Sequence, residues 1–404
     1  MGTWRLDVGP WTGAPVRQLT EARGISATFR LAGTSELSFT LNARRDQAAA
    51  VVPLVSDVHA TRDRELIYTG RVGRPDDSPT ATQHDRTFQT ADYRGVLARQ
   101  VWTGPQTTWT GEQAAVLKAL VDHPQGLAGG NLGIDTSGLP TTGQSAARVT
   151  ETGASIGTEI EALAAAGEPA NAATAGFDWD VAPGWGAARK LRAWYPFRGS
   201  ARPPLPYRWL EDPNRRESSR IRSATRSQDP AAFANAVLVT GGTKSVTTTS
   251  TTVNPSTGQT QVSTETKQVP TTPVFLAVAD IATRPEGLWP QTISFGDITD
   301  QTELAAKAAE RLAALAANLP AYEIVLAAGS WGGPSDVWLG DRVAVVVSSG
   351  VLAETVTLRV SEVRVQLDAN GAETVTLVLG TPPGDLESAL RGVFSRVATL
   401  ELLA

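Results

Sequence analysis

The side chains in this sequence that could do chemistry are few and scattered. Its three histidines, His59, His84 and His123, fall in a strand, a turn and a helix end. Nothing in their spacing would bring three or four ligands onto one metal, so they read as surface or structural histidines. There is no cysteine, which removes disulfides, thiolate metal sites and a cysteine nucleophile. A serine triad is not excluded by composition, but no G-x-S-x-G elbow occurs. Asp178 and Asp180 in FDWDV would face the same way on a strand, as paired catalytic carboxylates do; an exposed polar edge is the commoner cause. Glu159 and Glu161 sit two apart on a helix and do not face each other. The glycines at 126, 129, 130 and 133 lack both the G-x-G-x-x-G spacing and a following Lys-Ser/Thr, and GWGAARK misses the P-loop register. The expectation is a protein with no catalytic residue, metal or cofactor.

Residues suited to binding are easier to find. The basic cluster RRESSRIRSATR carries Arg215, Arg216, Arg220, Arg222 and Arg226, enough charge to meet phosphates. It lacks aromatic stacking partners and the chain is acidic overall, so a solvated or intersubunit face is the better reading. Eleven tryptophans against five tyrosines could stack on sugars; burial, especially at subunit contacts, is favoured because interfaces are enriched in aromatics. The end of the chain, DLESALRGVFSRVATLELLA, reads as an amphipathic helix with Leu386, Leu390, Val393, Phe394 and Val397 on its apolar side. Packing on its own domain is the ordinary reading and docking on a neighbour the other. The interface candidates are therefore Leu390, Phe394, Val397, Arg215, Arg216 and Arg220.

The elements that would hold these residues are mostly strands. The first hundred residues alternate apolar and polar positions (Ile25, Ala27, Phe29, Leu31; Leu37, Phe39, Leu41; then ELIYTGRV) and close on a short helix at Val96-Leu97. From Thr110 the period becomes helical; Thr110 with Gln113 forms a capping-box pattern and Pro124 ends the helix. A second helix covers 155–166, followed by the strands FDWDV, KLRAWYPF and AVLVTG. Residues 243–272, almost pure Thr, Ser, Val and Gln, cannot bury a core and read as a protruding hairpin or a loop. Asp300 and Glu303 cap a helix whose buried face is Leu304, Ala308, Leu312 and Leu315. The block 336–380 is a three-strand meander. In its middle strand the apolar phase slips between Val360 and Val363, which predicts a β-bulge at Ser361-Glu362; Asn370-Gly371 predicts a two-residue hairpin turn. Bulged, curling strands of this kind build barrels rather than flat sheets.

Length and charge narrow the class. A chain of 404 residues implies two to four domains. A formal charge of −5 argues against general affinity for nucleic acid or anionic membranes. The N-terminus lacks a charged segment leading into an apolar run, and no stretch of 18 apolar residues occurs, so neither a standard secretion signal nor a membrane span is expected.

Taken in order, the pieces resemble a known family. SELSFTLN, LIYTGRV and ADYRGVLARQ, with Asp92, Leu97 and Arg99, are similar to the N-terminal β-domain of phage tail-tip and baseplate hub proteins. FDWDV and NAVLVTG resemble that family's middle strands; the helix ITDQTELAAKAAERLAAL, the start of WLGDRVAVVV at Leu339-Gly340-Asp341, and LRVSEVRVQL with ETVTLVLG resemble its second β-domain. The resemblance implies an α+β, mostly β chain: two tube-like antiparallel β-barrel domains with an α+β middle region and peripheral helices. The domains would be 1–105 (first barrel), 106–240 (α+β, with strands available to complete that barrel), 241–273 (Thr-rich hairpin or loop), 274–383 (helix and second barrel) and 384–404 (C-terminal helix). It further implies a homotrimeric ring, in which two barrels per subunit imitate six-fold symmetry, at the tail tip of a virion assembled in the host cytoplasm. Its partners would be the distal tail protein, the tape-measure protein and central fibre or receptor-binding proteins, with DNA only in transit through the lumen. Many relatives continue into a fibre or a peptidoglycan-cleaving domain; with the sequence ending at Ala404, no lytic or receptor-binding activity is expected of it. The alternatives are a hexameric distal tail protein and a virion carbohydrate-binding or carbohydrate-cleaving protein.

Overall fold

A computed structural model describes residues 2–80, 84–165, 176–186, 188–195, 197–202, 208–210, 220–227, 233–253, 260–285, 287–296, 298–317, 321–349, 352–368 and 370–380. In chain order the first block comprises β1 (Trp4–Pro10), β2 (Arg17–Gln18), β3 (Arg23–Arg30), β4 (Glu36–Asn42), α1 (Asp46–Ala50), β5 (Ser56–Arg62), β6 (Glu65–Val72), β7 (Asp76–Pro79), β8 (His84–Asp92) and α2 (Tyr93–Ala98). An α+β block follows with β9 (Thr107–Glu112), α3 (Gln113–Gln125), β10 (Ile134–Asp135), β11 (Ser145–Thr150), α4 (Ile156–Ala165), β12 (Asp178–Ala182), β13 (Arg189–Trp194), β14 (Arg208–Leu210) and β15 (Ile221–Ser227). Then come β16 (Ala236–Gly241), β17 (Thr243–Val253), β18 (Thr260–Pro270), β19 (Val274–Ala277), β20 (Pro290–Phe295) and α5 (Gln301–Ala317), and last β21 (Ala321–Leu326), β22 (Arg342–Ser349), β23 (Leu352–Leu367) and β24 (Glu373–Leu379). The chain divides into a larger unit, Met1–Ala166 with Ala175–Ser227 and Pro320–Ala404, and a smaller one, Gly167–Thr174 with Gln228–Leu319.

In the larger unit, strands from the two ends of the chain share one 14-stranded sheet with the path β15-β21-β24-β23-β3-β4-β8-β6-β5-β1-β2. The join is antiparallel, β23 to β3, from Glu362↔Arg30 to Gln366↔Ser26. One core fills the inside of the curl, with Phe29, Phe39 and Phe88 from the first block beside Tyr322, Val363 and Leu377 from the last. The expected bulge is present: the β23–β24 register slips between Val360 and Glu362. The Ser361 carbonyl accepts from Leu31 N at 2.9 Å, and its hydroxyl donates to Val378 O at 3.1 Å. One extra residue keeps Val360 and Val363 on the core side and bends a strand too long to stay straight.

Two local expectations need correction. The turn after β23 is not a two-residue hairpin, because Leu367 pairs with Glu373 and Asp368 closes the longer connection. Its carboxylate accepts from Asn370 N at 2.8 Å and Ala372 N at 2.7 Å. Of the described turn residues only Gly371 takes a positive φ, 77°. Helix α3 starts at Gln113 under a Glu112 cap that accepts from Ala115 N, while Thr110 lies in β9 opposite Ala147. Pairing of β9 with β11 claims the residues that would have made the capping box, and Pro124 lies inside the last turn.

The smaller unit has a three-stranded sheet, β19-β16-β20, with β16 and β20 parallel. The apolar face of α5 (Leu304, Ala308, Leu312) packs with Val237, Val239 and Ile298. The predicted cap holds: Asp300 Oδ1 accepts from Thr302 N and Glu303 N, each at 2.9 Å. The Thr-rich segment is a hairpin in which β17 and β18 pair from Thr243↔Pro270 to Val253↔Thr260, roughly 36 Å long at about 3.3 Å per residue. Its Asn-Pro-Ser-Thr-Gly tip lies outside the described residues.

The curl of the large sheet is fixed by a buried ion pair. Arg62, at the end of β5, donates from Nε and Nη2 to both oxygens of Glu373 on β24, at 2.8 and 2.9 Å. Their side chains are 5% and 2% exposed. Trp4 Nε1 donates to the same carboxylate at 2.8 Å, and the guanidinium lies 4.6 Å from the Trp331 ring. Removing Glu373 leaves the buried Arg62 with only the half-exposed Asp63, 3.1 Å away, as an anionic partner. Glu373→Gln is therefore expected to lower stability of the larger unit by ~3–5 kcal/mol, and Arg62→Met paired with Glu373→Leu by less than either single change, as read by urea denaturation followed by tryptophan fluorescence.

Candidate assembly interface

The large sheet contains the same four-strand arrangement twice. In the last block the strands lie side by side as β15-β21-β24-β23, which in chain order is first, second, fourth, third. In the first block β3, β4, β8 and β7 lie in that order too, since β4 pairs β8 along its length and β7 pairs the start of β8. In both sets a hairpin, β5–β6 or β22–β23, intervenes before the third strand is complete, and every neighbour along the eight strands is antiparallel. The sets meet at β23–β3. α2 follows directly after the fourth strand of the first set. In α2 Gly95 is needed because a Cβ there would come within 2.5 Å of Thr34 Cγ2.

The face of these strands turned away from the core is polar, and several of its arginines are paired with carboxylates. Arg30 on β3 meets Glu362 on β23 at 3.0 Å and Glu36 on β4 at 3.7 Å. Arg364 reaches Glu323 at 3.3 Å and pairs with Glu362, and Arg23 pairs with Asp85. Thr40 and Thr87 share a hydroxyl–hydroxyl hydrogen bond of 3.0 Å. Under α2 this face forms an open groove of about 680 Å³ lined by Ser26, Thr28, Ser38, Gln89, Arg74 and Arg99.

The sequence-predicted candidates fall in different places. Arg220 serves inside the fold: it donates to Asp336 Oδ1 at 3.1 Å from Nη1, and Nη2 reaches Asp336 Oδ2 and Ser330 O. Burial raises the Asp336 pKa, but the Arg220 hydrogen bonds and the Gly332 N–H outweigh it and hold the carboxyl below its ordinary value. Arg220 thus fastens the 330–336 loop to the start of β15 and is not the surface group expected. Arg215, Arg216, Leu390, Phe394 and Val397 lie outside the described residues. Arg222 and Arg226 of the same cluster are exposed on β15.

The residues considered for catalysis are occupied structurally. Asp180 is gripped by Arg192 at 2.7 Å and Arg198 at 2.7 Å, while Asp178 pairs with Arg359. Trp102 is buried and packs edge-on to Trp109, and Trp179 is buried under Arg94. His123 stacks on Trp102 at 3.9 Å and accepts from Thr103 N on Nε2. A buried cluster binds the α+β block to the sheet: Asp57 of β5 takes Tyr93 OH at 2.7 Å, Arg71 Nε at 2.9 Å, and Arg189 of β13. Sequence reasoning missed this cluster, because its members are spread from residue 57 to residue 189.

Solved phage tail proteins share this fold at low sequence identity. The tail protein from Neisseria meningitidis MC58 superposes with a TM-score of 0.58 at 13% identity, over 94% of this chain and 97% of that one. The 43 kDa tail protein of prophage MuSo2 from Shewanella oneidensis gives 0.61 at 11%, over 94% and 98%. The prophage tail protein gp18 from Listeria monocytogenes EGD-e gives 0.53 at 12%, over 97% and 98%. The fold is that of phage tail proteins. Residues 214–381, less than half of the chain, match the family described as Siphovirus ReqiPepy6 Gp37-like protein. No curated protein sequence matches the chain. The resemblance seen in the sequence motifs is thus met by both a family match and the fold. Among the described residues no helix is long and apolar enough to cross a membrane.

His59 supplies a pH test of the buried cluster. It is fully buried on β5, with Nδ1 3.1 Å from Thr69 Oγ1 and the ring against Trp185. Burial lowers its pKa to about 4; Asp57 opposes the shift and Arg189 adds to it. The unfolded chain takes up this proton near pH 6.5 and the folded chain only near 4. Stability contributed above pH 6.5 is therefore lost as pH falls through that window, by about 3 kcal/mol. In His59→Gln that part of the slope is expected to vanish in denaturation curves compared at pH 7 and pH 4.5.

Proposed function

We propose that this chain is a structural virion protein, the tail-tip or baseplate hub. Three copies form a ring that closes the distal end of the tail tube and joins it to central fibre or receptor-binding proteins, beside the distal tail protein. The ring leaves a channel for the tape-measure protein and DNA. The protein performs no catalysis, and it assembles in the host cytoplasm before it is built into the particle.

The observation that carries this reading is the doubled four-strand set within one sheet. A protein with one such set needs six copies to wall a six-fold tube; a chain with two needs three. This favours the trimeric hub over the hexameric distal tail protein. On the non-core face Arg23, Arg30 and Arg364 each already have a carboxylate, which weakens their hold on the phosphates of passing DNA. The carbohydrate reading is weakened by Asp178 and Asp180, whose arginine partners leave neither poised as an acid or a nucleophile.

Light scattering on the purified chain is expected to give about three times 42.6 kDa, with negative-stain images showing a ring with a central hole. A six-chain ring would move the assignment to a distal tail protein. A monomer that binds cell-wall glycan would end the hub reading.

A further inference from the structure

Two arginines beside the non-core face stand apart from the rest. Arg23, Arg30 and Arg364 each have a carboxylate. The guanidinium groups of Arg74, just past β6, and Arg99, just past α2, have no hydrogen-bond or carboxylate partner among the described residues, and both side chains are exposed. Both line the groove of about 680 Å³. Asp92 is used as the cap of α2, accepting from Gly95 N at 3.0 Å, and Leu97 is buried in the core; Arg99 has no such role inside the fold. Along the floor Ser26, Ser38 and Gln89 lie in register across β3, β4 and β8, with Thr28 opposite Glu36 in the next row. These side chains offer hydroxyls, an amide and one carboxylate to an occupant.

The rim carries a strained apolar residue. The turn 52–55 is closed by Val55 N donating to Val52 O at 3.2 Å, and Leu54 N is pinned to the end of β6 by Val72 O at 2.9 Å. Leu54, which follows Pro53 in this turn and lines the groove, has φ 65°, at a turn position where glycine or asparagine is the ordinary residue. The other described non-glycine residues with positive φ, Asp63 and Arg64, form the two-residue connection between β5 and β6, which requires it. Leucine at such a φ is costly to the backbone, and its side chain recovers little by burial: it is 51% exposed, between Val52 at 46% and Val55 at 49%. Backbone strain that holds an apolar side chain out beside two unpaired cations is unexplained by the fold alone.

We infer that this groove takes a short acidic peptide segment of a partner protein, with carboxylates on Arg74 and Arg99 and an apolar side chain against Leu54. Two free cations call for an anionic occupant. A nucleic-acid strand suits the site less well, because its phosphates would meet Leu54 and the Glu36 carboxylate that also line it. The volume falls within the range of about 300–1,000 Å³ usual for ligand clefts. All the lining residues belong to 26–100 of one chain, so the site needs no second copy and does not depend on the ring.

The test is fluorescence anisotropy of the whole chain with a labelled short peptide of several glutamates and one leucine, beside its lysine counterpart and a labelled oligothymidylate. The glutamate peptide is expected to bind at low salt and to weaken as salt is raised, and the lysine peptide is expected not to bind. Arg74→Glu with Arg99→Glu should weaken the glutamate peptide by about tenfold or more, while the urea midpoint read by tryptophan fluorescence stays in place. Leu54→Asn, close to leucine in size and at ease with a positive φ, should weaken the same peptide severalfold with a urea midpoint no lower than that of the parent. A glutamate peptide that does not bind, or that binds the double arginine variant as well as the parent, would overturn the inference. Tighter binding of the oligothymidylate, lost in the same variant, would overturn it in favour of a nucleic-acid groove. Full binding by Leu54→Asn would remove Leu54 from the site.

Discussion

The larger unit depends on one contact that closes its sheet. Fourteen twisted strands do not stay flat, and a curling sheet must be stopped somewhere. Here the stop is the meeting of Arg62 and Glu373, 311 residues apart in sequence and on strands several places apart along the sheet. Burying two ions is costly, so the pair is worth having only with full satisfaction. Glu373 also receives the Trp4 indole, and Arg62 Nη2 also reaches Trp331 O at 3.0 Å. Apolar residues would fill the same space, but they would not fix which strand end meets which. The bidentate pair sets that register, and with it the curvature of the wall.

A second buried cluster does for the α+β block what the first does for the curl. Asp57 lies on the same strand as Arg62, and through Arg189, Arg71 and Tyr93 it ties β13 and α2 to the sheet. The block's own core, from Val116 and Leu117 of α3 to Ile160 of α4 and Trp179 of β12, is thereby held to one side of the wall. The α+β block and the large sheet are thus joined by one buried polar cluster.

Much of this was readable from residue order. Alternation located the strands and the phase slip at Ser361 located the bulge, because each is decided by neighbours within a few residues; the Thr-rich run left hairpin and loop both open, and the structure shows the hairpin. The capped α5 was legible for the same reason. What could not be read was pairing at long range: that β3 would take β23 as a neighbour, that the two blocks would share a core, and that Arg220 would be spent on Asp336. A side chain's partner across more than a hundred residues leaves no periodic trace. The turn at Asp368 misled because Asn-Gly is sufficient for a two-residue hairpin but does not compel one when an aspartate just before it can accept two main-chain N–H groups.

In the proposed hub, one chain supplies two adjoining segments of a tube wall. The most direct measurement is a three-dimensional reconstruction of the tail end of the intact particle with this chain located in it. The account predicts three copies in a single ring at the distal end of the tube, with the outer face of β21, β24, β23, β3, β4 and β8 lining the channel. Six copies in the ring, or three copies with that face turned away from the channel, would contradict it.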